Sequence, residues 1–313
     1  MGTVVVMRGW WRDLTDLVLP AECGGCGQPR TVLCPQCRTA LSGVAPCRVR
    51  PDPEPPGLPV VHAAARYADE VRAVLLAHKE RGALALAAPL GVALAGAVRE
   101  GLRAEHGPRG GAVLLVPVPS ARGAVRARGH DPARRIALAA AAELRRAGTP
   151  ARVLAVLRQR RAVADQSGLN SRQRLDNLAG ALEVAPGGGR LLGGGPGGGS
   201  VVLVDDLMTT GASLAEAARA VREGAAGGAG GDGRERTGRT VRLIGGDAGV
   251  TAVCTAVGRE DRQHRGERSA EVKAEAVVRR HGVPGMARGI PAGDGLCAAV
   301  VAASPDAFEI NRN

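Results

Sequence analysis

The chain has 313 residues, 45% of them apolar, enough for one or two domains with a substantial core. Its only aromatic residues are Trp10, Trp11, Tyr67 and Phe308, so the core must be built from Ala, Val and Leu, and no apolar run approaches the ~20 residues of a membrane span. A formal charge of +12 invites an anionic partner, but Lys79 and Lys273 are the only lysines, and no aromatic side chains interleave the basic stretches to form a platform for single-stranded nucleic acid; an arginine bias beside so much Ala and Gly fits GC-rich coding equally well.

The first residues lack the charged start, apolar stretch and small-residue cleavage site of a secretory signal, so a cytoplasmic protein is expected; Met7 offers a second possible start. Residues 10–50 form a cysteine-rich opening. Cys23 and Cys26 make one C-x-x-C pair, Cys34 and Cys37 a second, seven residues on. Each pair can turn two thiolates toward one ion, and two pairs complete a tetrahedral zinc site of the kind found in zinc ribbons. Disulfides and a redox dithiol are the alternatives; a cytoplasmic setting disfavours the first and the duplication disfavours the second. Metal here is expected to be structural, because some forty residues hold too little core to fold unaided. Cys47 stands alone.

A Pro-rich linker at 51–59 separates this opening from the rest. Beyond it the pattern predicts a strand at 60–65, helices at 69–77 and 83–99, a short apolar strand closed by prolines at 113–119, a helix at 134–147 and a strand at 153–157. Residues 186–200 are largely glycine and read as a flexible connection. The run 201–204 is a buried strand, a helix follows at 214–223, and 296–302 is a plausible last strand. Between them, residues 224–294 have weak periodicity, with short strand candidates at 240–244 and 250–257, and read as a disordered or irregular insertion; Cys254, His264 and His281 within it match no metal spacing. Strands alternating with helices predict an α/β fold, a doubly wound and mainly parallel sheet whose ligands sit at the carboxyl ends of its strands.

The most informative stretch is 201–213. Four apolar residues end in Asp205 and Asp206, followed by Met208, Thr209, Thr210, Gly211, Ala212 and Ser213 and then a helix. Glycine lets a backbone approach a ligand, hydroxyls and amides donate, and a helix N-terminus favours an anion. The two carboxylates can take ribose hydroxyls or a hydrated Mg²⁺ ion. The plainer alternative is a capped helix, since Ser213 and Glu216 also fit a capping box.

This stretch resembles the phosphoribosyl-pyrophosphate (PRPP) loop of type I phosphoribosyltransferases. The resemblance implies that Asp205 and Asp206, the catalytic pair, face the ribose hydroxyls, that Met208–Ser213 cradle the 5′-phosphate, and that a pyrophosphate loop lies at Pro117, Val118, Pro119 and Ser120 with Arg128 nearby. The cysteine pairs, linker and PRPP-like loop, in that order, resemble the ComF family of phosphoribosyltransferase-like proteins associated with competence and DNA uptake. Further stretches carry it: Tyr67 with Lys79 and Gly82; Val116–Pro119 with Arg128, Gly129 and Asp131; and Gln166, Leu169, Arg174 and Asn177. His130 departs from it, standing where the family has an aromatic. The long insertion departs too, and only Cys47 remains of a further cysteine pair. The family implies a PRPP- and Mg²⁺-binding domain at 60–223 plus 295–313, an N-terminal structural zinc site, and transfer of phosphoribose to an unnamed acceptor with pyrophosphate release. Arg122, Arg126 and the arginines at 158–161 are available to neutralise pyrophosphate. A PRPP sensor without turnover, and an accessory protein handling single-stranded DNA, are the other classes; oligomeric state is not legible.

Overall fold

The computed structural model describes residues 22–106, 111–161, 171–192, 199–229 and 295–312. These belong to one unit formed by Met1–Gly230 and Ala287–Asn313. The chain begins with a short bridge between Glu22 and Pro29, helix α1 (Pro35–Ser42) and strand β1 (Cys47–Val49). Then come β2 (Val60–Arg66), α2 (Asp69–Glu80), a 3₁₀ turn (Leu84–Leu86), α3 (Ala87–His106), β3 (Val113–Pro117), α4 (Arg122–Arg128), α5 (Pro132–Arg146) and β4 (Ala151–Val153). The remainder is β5 (Leu157–Gln159), α6 (Ser171–Leu178), β6 (Leu182–Val184), α7 (Gly188–Leu192), β7 (Ser200–Met208), α8 (Ala212–Ala229), β8 (Leu296–Ala303) and a 3₁₀ segment (Pro305–Arg312).

Six strands form one sheet in the order β1-β2-β8-β7-β3-β4, in which only the β1–β2 pairing is antiparallel. The expected α/β class and mainly parallel sheet are therefore observed. Alternate residues of the strands feed two cores. One, on the side of α2, α3 and α5, takes Val202, Val204, Leu115 and Ala299; the other, on the side of α8, takes Val201, Leu203, Leu114 and Ala298. Helices thus cover both faces, which is what buried parallel strands require. From β3 the chain moves outward to β4, and from β7 it moves outward the other way to β8. The sheet therefore reverses its winding between β3 and β7, and the crevice beyond their carboxyl ends is where such folds hold ligands.

Small residues make this packing close. Along α5, Ile136, Ala137, Ala140, Ala141 and Leu144 form a buried helical stripe against Leu90, Leu94, Ala97 and Val98 of α3. Asp131 caps α5, its carboxylate accepting the Arg134 N–H at 3.1 Å. Contrary to the expectation that no run reaches membrane length, residues 84–105, mostly α3, are the one helical stretch among the described residues long and apolar enough to cross a membrane, because their alanines and leucines outweigh few charges; Leu90, Leu94, Ala95 and Val98 within it are buried against the sheet and α5.

Several boundaries differ from those expected. The apolar run at 153–157 is shared between two sheets: Val153 ends β4, while Leu157 opens β5, which pairs with β6 in a separate antiparallel ribbon. A run so short offers no period to reveal that its two ends enter different cores. Residues 188–192, expected to be part of a flexible connection, form α7, anchored by Leu192, which is 1% exposed. The Pro-rich linker separates nothing in space. Across it β1 pairs with β2, Arg222 donates to the Gly57 carbonyl at 2.8 Å, and the cysteine segment shares a core with α2 and α3. The helix expected at 214–223 runs on to Ala229. Residues 10–21 and 230–294, and with them most of the expected insertion, lie outside the described residues, as do Gln166 and Leu169.

Gly91 marks the closest approach of α3 to α5: a Cβ there would lie 2.4 Å from the Ala139 Cβ and 2.8 Å from the Ala139 carbonyl carbon. Gly to Ala in an exposed helix stabilises by about 1 kcal/mol, but here the backbone contact leaves no soft atom to yield. Gly91→Ala is therefore expected to destabilise the protein by about 1–3 kcal/mol, read as a lowered urea midpoint at unchanged slope.

Candidate functional site

The end of β7 does not continue the regular ladder. Asp205 pairs with Val300 and Leu207 with Ala302, skipping Asp206 and Val301, and β2 skips Ala64 against β8 at the same level. Alternation reverses there too, since Val204 and Leu207 both pack toward the α3 and α5 core while Met208 packs in the other. Asp206 is left 5% exposed, at the end of the central strand.

A buried carboxylate needs a partner. Asp206 finds it in Lys79, whose Nζ lies 3.1 Å from Oδ2 and 3.4 Å from Oδ1. Burial works against charge on Lys79, yet Asp206 and then Asp205 raise its pKa above the ordinary lysine range. Asp205 is less enclosed, and its Oδ1 accepts the Asp206 N–H at 2.8 Å. Desolvation, and then the adjacent Asp206 carboxylate, push the Asp205 carboxyl well above the ordinary carboxylate range.

Lys79 sits in the last turn of α2, and that turn is tied down from the opposite side. Glu80 pairs with Arg128 at 3.3 Å. One ring nitrogen of His130 lies 3.2 Å from the His78 carbonyl and the other 3.2 Å from that of Arg128, and the two imidazoles meet edge to face at 5.6 Å. Burial lowers the pKa of His78, which is wholly enclosed.

These groups open onto a pocket of about 450 Å³ at the β3–β7 crevice. Lys79, Val118, Pro119, Ser120, Arg128, Asp205, Asp206, Thr209 and Ser213 all line it, so the structure brings together both acids and most of the expected pyrophosphate loop. Pro117 does not line it; it ends β3 opposite Val204. The Ser120 N–H donates to the Asp131 carboxylate at 3.4 Å, tying the loop to the α5 cap. Arg128 carries a buried Nη1 without a hydrogen-bond partner among the described residues.

Beside this pocket Met208, Thr209, Thr210, Gly211, Ala212 and Ser213 surround a small hollow of about 30 Å³. Gly211 has φ +74°, and a Cβ there would lie 3.1 Å from Leu58 and 3.3 Å from Pro51 of the Pro-rich stretch. A left-handed turn of this kind suits glycine. It feeds α8, whose first amides have no helical acceptor. Met208 borders the hollow yet is only 1% exposed, its side chain packed in the α8 core. Arg174 donates to the Thr209 hydroxyl at 3.4 Å. Glu216, which sequence places in a capping box with Ser213, is instead buried against β6. It accepts the Leu182 N–H at 2.8 Å and pairs with Arg219, which also donates to the Leu182 carbonyl.

Arg122, Arg126 and Arg158 line an adjoining groove of about 330 Å³ that shares Pro119, Ser120 and Gln159 with the main pocket. Arg158 is paired with Glu183 at 2.9 Å, and Arg122 donates to the Gln159 carbonyl at 3.2 Å. Lys79 and Glu216 were not foreseen in these roles. A lone lysine near a glycine is a weak signal, although being one of two lysines in an arginine-rich chain sets it apart.

In the cysteine segment, the sulfurs of Cys23, Cys26, Cys34 and Cys37 all lie within 4.8 Å of one another. Tetrahedral Zn–S bonds of about 2.3 Å place sulfurs roughly 3.8 Å apart, so the cluster is compatible with a structural zinc ion. Backbone amides of Cys34 and Cys37 point at the sulfurs of Cys23 and Cys34, at 3.3 and 3.4 Å. Burial raises the Cys23 thiol, but donation from the Cys34, Cys26 and Gly25 amides outweighs it and brings the pKa down to about 6, while burial pushes Cys37 up. Among the described residues no other group of cysteines, histidines and acids could hold a metal, and Cys47 sits apart, exposed on β1.

Purified protein is expected to carry about one equivalent of zinc by elemental analysis, lost in Cys34→Ser. Chelation should lower the unfolding midpoint at a cost of at least about 3 kcal/mol, since structural zinc contributes about 10–16 kcal/mol in small modules. A metal-free chain of unchanged stability counts against the site. No protein-family model matches the chain, and no curated protein matches it.

Proposed function

We propose that this chain is a phosphoribosyltransferase-like, ComF-like protein that binds PRPP with Mg²⁺ in the β3–β7 crevice, with zinc holding the cysteine segment. The observation that carries the reading is the convergence, on one pocket at the winding reversal of a parallel sheet, of an acid pair, a Thr-Thr-Gly-Ala-Ser turn entering a helix, and two cations. Asp205 and Asp206 take the ribose hydroxyls. Thr209, Thr210, Ser213 and the first amides of α8 take the 5′-phosphate. Ser120 and Arg128 face the diphosphate. Mg²⁺, when bound, supplies charge neutralisation for the leaving group, and the acids of the pocket are the protein groups suited to its hydrated shell.

In the transfer, the bond from ribose C1 to the diphosphate oxygen breaks and its electron pair leaves with pyrophosphate. An acceptor lone pair forms the new bond to C1, and the acceptor gives up a proton. The charge that develops is positive on the ribose ring and negative on pyrophosphate, so a site with acids at one end and cations at the other stabilises both. The acceptor is an unidentified nucleophile, and a PRPP sensor without turnover uses the same residues.

Calorimetric titration of PRPP with Mg²⁺ should give saturable binding that is abolished in Asp205→Asn/Asp206→Asn; no heat from the wild type overturns the reading. A pyrophosphate-release screen across nucleobases then separates enzyme from sensor. The pH dependence follows from Asp205. Its carboxyl holds a proton to higher pH than an ordinary aspartate, and protons compete with a cation for it. Affinity for Mg²⁺–PRPP should rise with pH through that raised value and level off above it, whereas a flat profile shows that Asp205 does not contact the ligand.

The groove beside the pocket favours a second reading, contact with single-stranded DNA, because Arg122, Arg126 and Arg158 line it. This predicts binding that weakens steeply from 50 to 200 mM salt, roughly tenfold or more per few phosphates contacted. A salt-insensitive or absent signal dismisses it.

A further inference from the structure

We infer that Lys79 is a switchable cation: it is paired with Asp206 while the pocket is free of ligand and passes, beside Arg128, to the diphosphate once ribose and Mg²⁺ occupy the acid pair. This rests on the PRPP reading and adds to it the residue that distinguishes PRPP from the ribose phosphate it leaves behind.

Four observations carry it. Lys79 is the only lysine among the described residues and lines the pocket itself. Its ammonium has three donors, and both contacts formed, at 3.1 and 3.4 Å, go to one carboxylate that the proposed ligand needs for itself. Its side chain is 33% exposed against 8% for Asp206, so the lysine is the partner with room to move. Finally, Arg128 lines the same pocket within electrostatic reach of Lys79 and holds a buried Nη1 that no group among the described residues satisfies. Two cations beside a pocket, one with an unfilled donor, describe an anion subsite, and a diphosphate is the anion that a ribose seated on Asp205 and Asp206 would carry there.

The backbone under Lys79 does not need to move for the exchange. The last turn of α2 is held by the Glu80–Arg128 pair and by His130 on the His78 carbonyl, so only the four-carbon stem swings. When Mg²⁺ and the ribose hydroxyls compensate Asp206, the ion pair loses its purpose and the freed ammonium joins Arg128. Lys79 thereby guards Asp206 against standing as an uncompensated buried charge before the ligand arrives.

The test compares two ligands, PRPP and ribose 5-phosphate, each with Mg²⁺, by calorimetry on the full zinc-loaded chain. In the wild type PRPP binds more tightly. In Lys79→Met, measured at a pH where the acid pair is ionised, PRPP affinity should fall roughly ten- to hundredfold, while ribose 5-phosphate affinity stays unchanged or rises because Asp206 is no longer occupied by the ammonium. Inorganic pyrophosphate with Mg²⁺ should lose affinity in parallel with PRPP. Lys79→Arg should keep the preference for PRPP. Lys79→Gln, which keeps the stem and its polarity, gives the same comparison should the methionine variant not fold. Equal weakening of both ribose ligands, or an unchanged preference for PRPP, overturns the role of Lys79 and leaves the PRPP site standing. A wild type that binds neither ribose ligand overturns the PRPP reading and this inference with it.

Discussion

A carboxylate at the end of the central strand, 5% exposed, cannot remain ionised without a compensating charge, and much of the N-terminal half of the fold serves to deliver one. Lys79 reaches Asp206 from the last turn of α2. That helix rests on the cysteine segment and on α3 through Val71, Val74 and Leu75, and its far end is pinned to the α4–α5 junction by Glu80 and His130. The cysteine cluster therefore bears on the pocket at one remove. A segment with too little core of its own is merged into the core that positions Lys79, so a metal bound there would stabilise the placement of a charge some forty residues later in sequence.

The same economy shows in the choice of side chains. With four aromatic residues in the whole chain, bulk cannot fill the interior. Close approach does so instead: α3 and α5 meet at Gly91 and Ala139, and β2 and β8 are largely alanine and valine. Such packing tolerates little added volume. It also brings the helices near enough to the sheet for one lysine stem to cross from α2 to β7.

Sequence made the larger plan legible because apolar runs bounded by turn residues are good marks of buried parallel strands; 60–65, 201–204 and 296–302 lie in strands of the six-stranded sheet, and of the expected 113–119 the first five residues do, β3 ending at Pro117. The acids and the glycine turn were readable for the same reason, as chemistry placed at a strand end. What was not legible depends on distance along the chain. The Lys79–Asp206 pair spans 127 residues, and no local pattern announces it. Glu216 looked like a helix cap because its spacing from Ser213 is right, yet tertiary contact with Leu182 and Arg219 claims it. The Pro-rich stretch reads as a spacer because proline and glycine mark turns, while its Gly57 carbonyl in fact accepts from Arg222 of α8, and Leu58 and Pro51 leave no room for a Cβ at Gly211 without a shift. Composition reports local conformation; it does not report what a loop is folded back upon.

Two partly buried ion pairs in this protein differ in a way that separates support from recognition. Glu216 is complete: Oε1 accepts from Leu182 and Arg219, Oε2 accepts from Arg219, and burial, which favours the neutral acid, is outweighed so that its pKa lies below the ordinary glutamate value. Every strong valence is filled, and the result is a clamp that holds the β5–β6 ribbon to α8. The pocket around Asp206 is incomplete. Asp205 sits beside a second carboxylate that opposes its ionisation, Lys79 directs both its contacts to one acid, and Arg128 has a buried nitrogen without a partner among the described residues. A fold can carry such deficits only where the remaining structure over-determines them, and the groups that would cure all three at once are a cation at the acids and an anion at the bases. A magnesium-bound sugar diphosphate, the ligand proposed above, would present both within one molecule, and the deficits bear on that proposal more than the contacts already made.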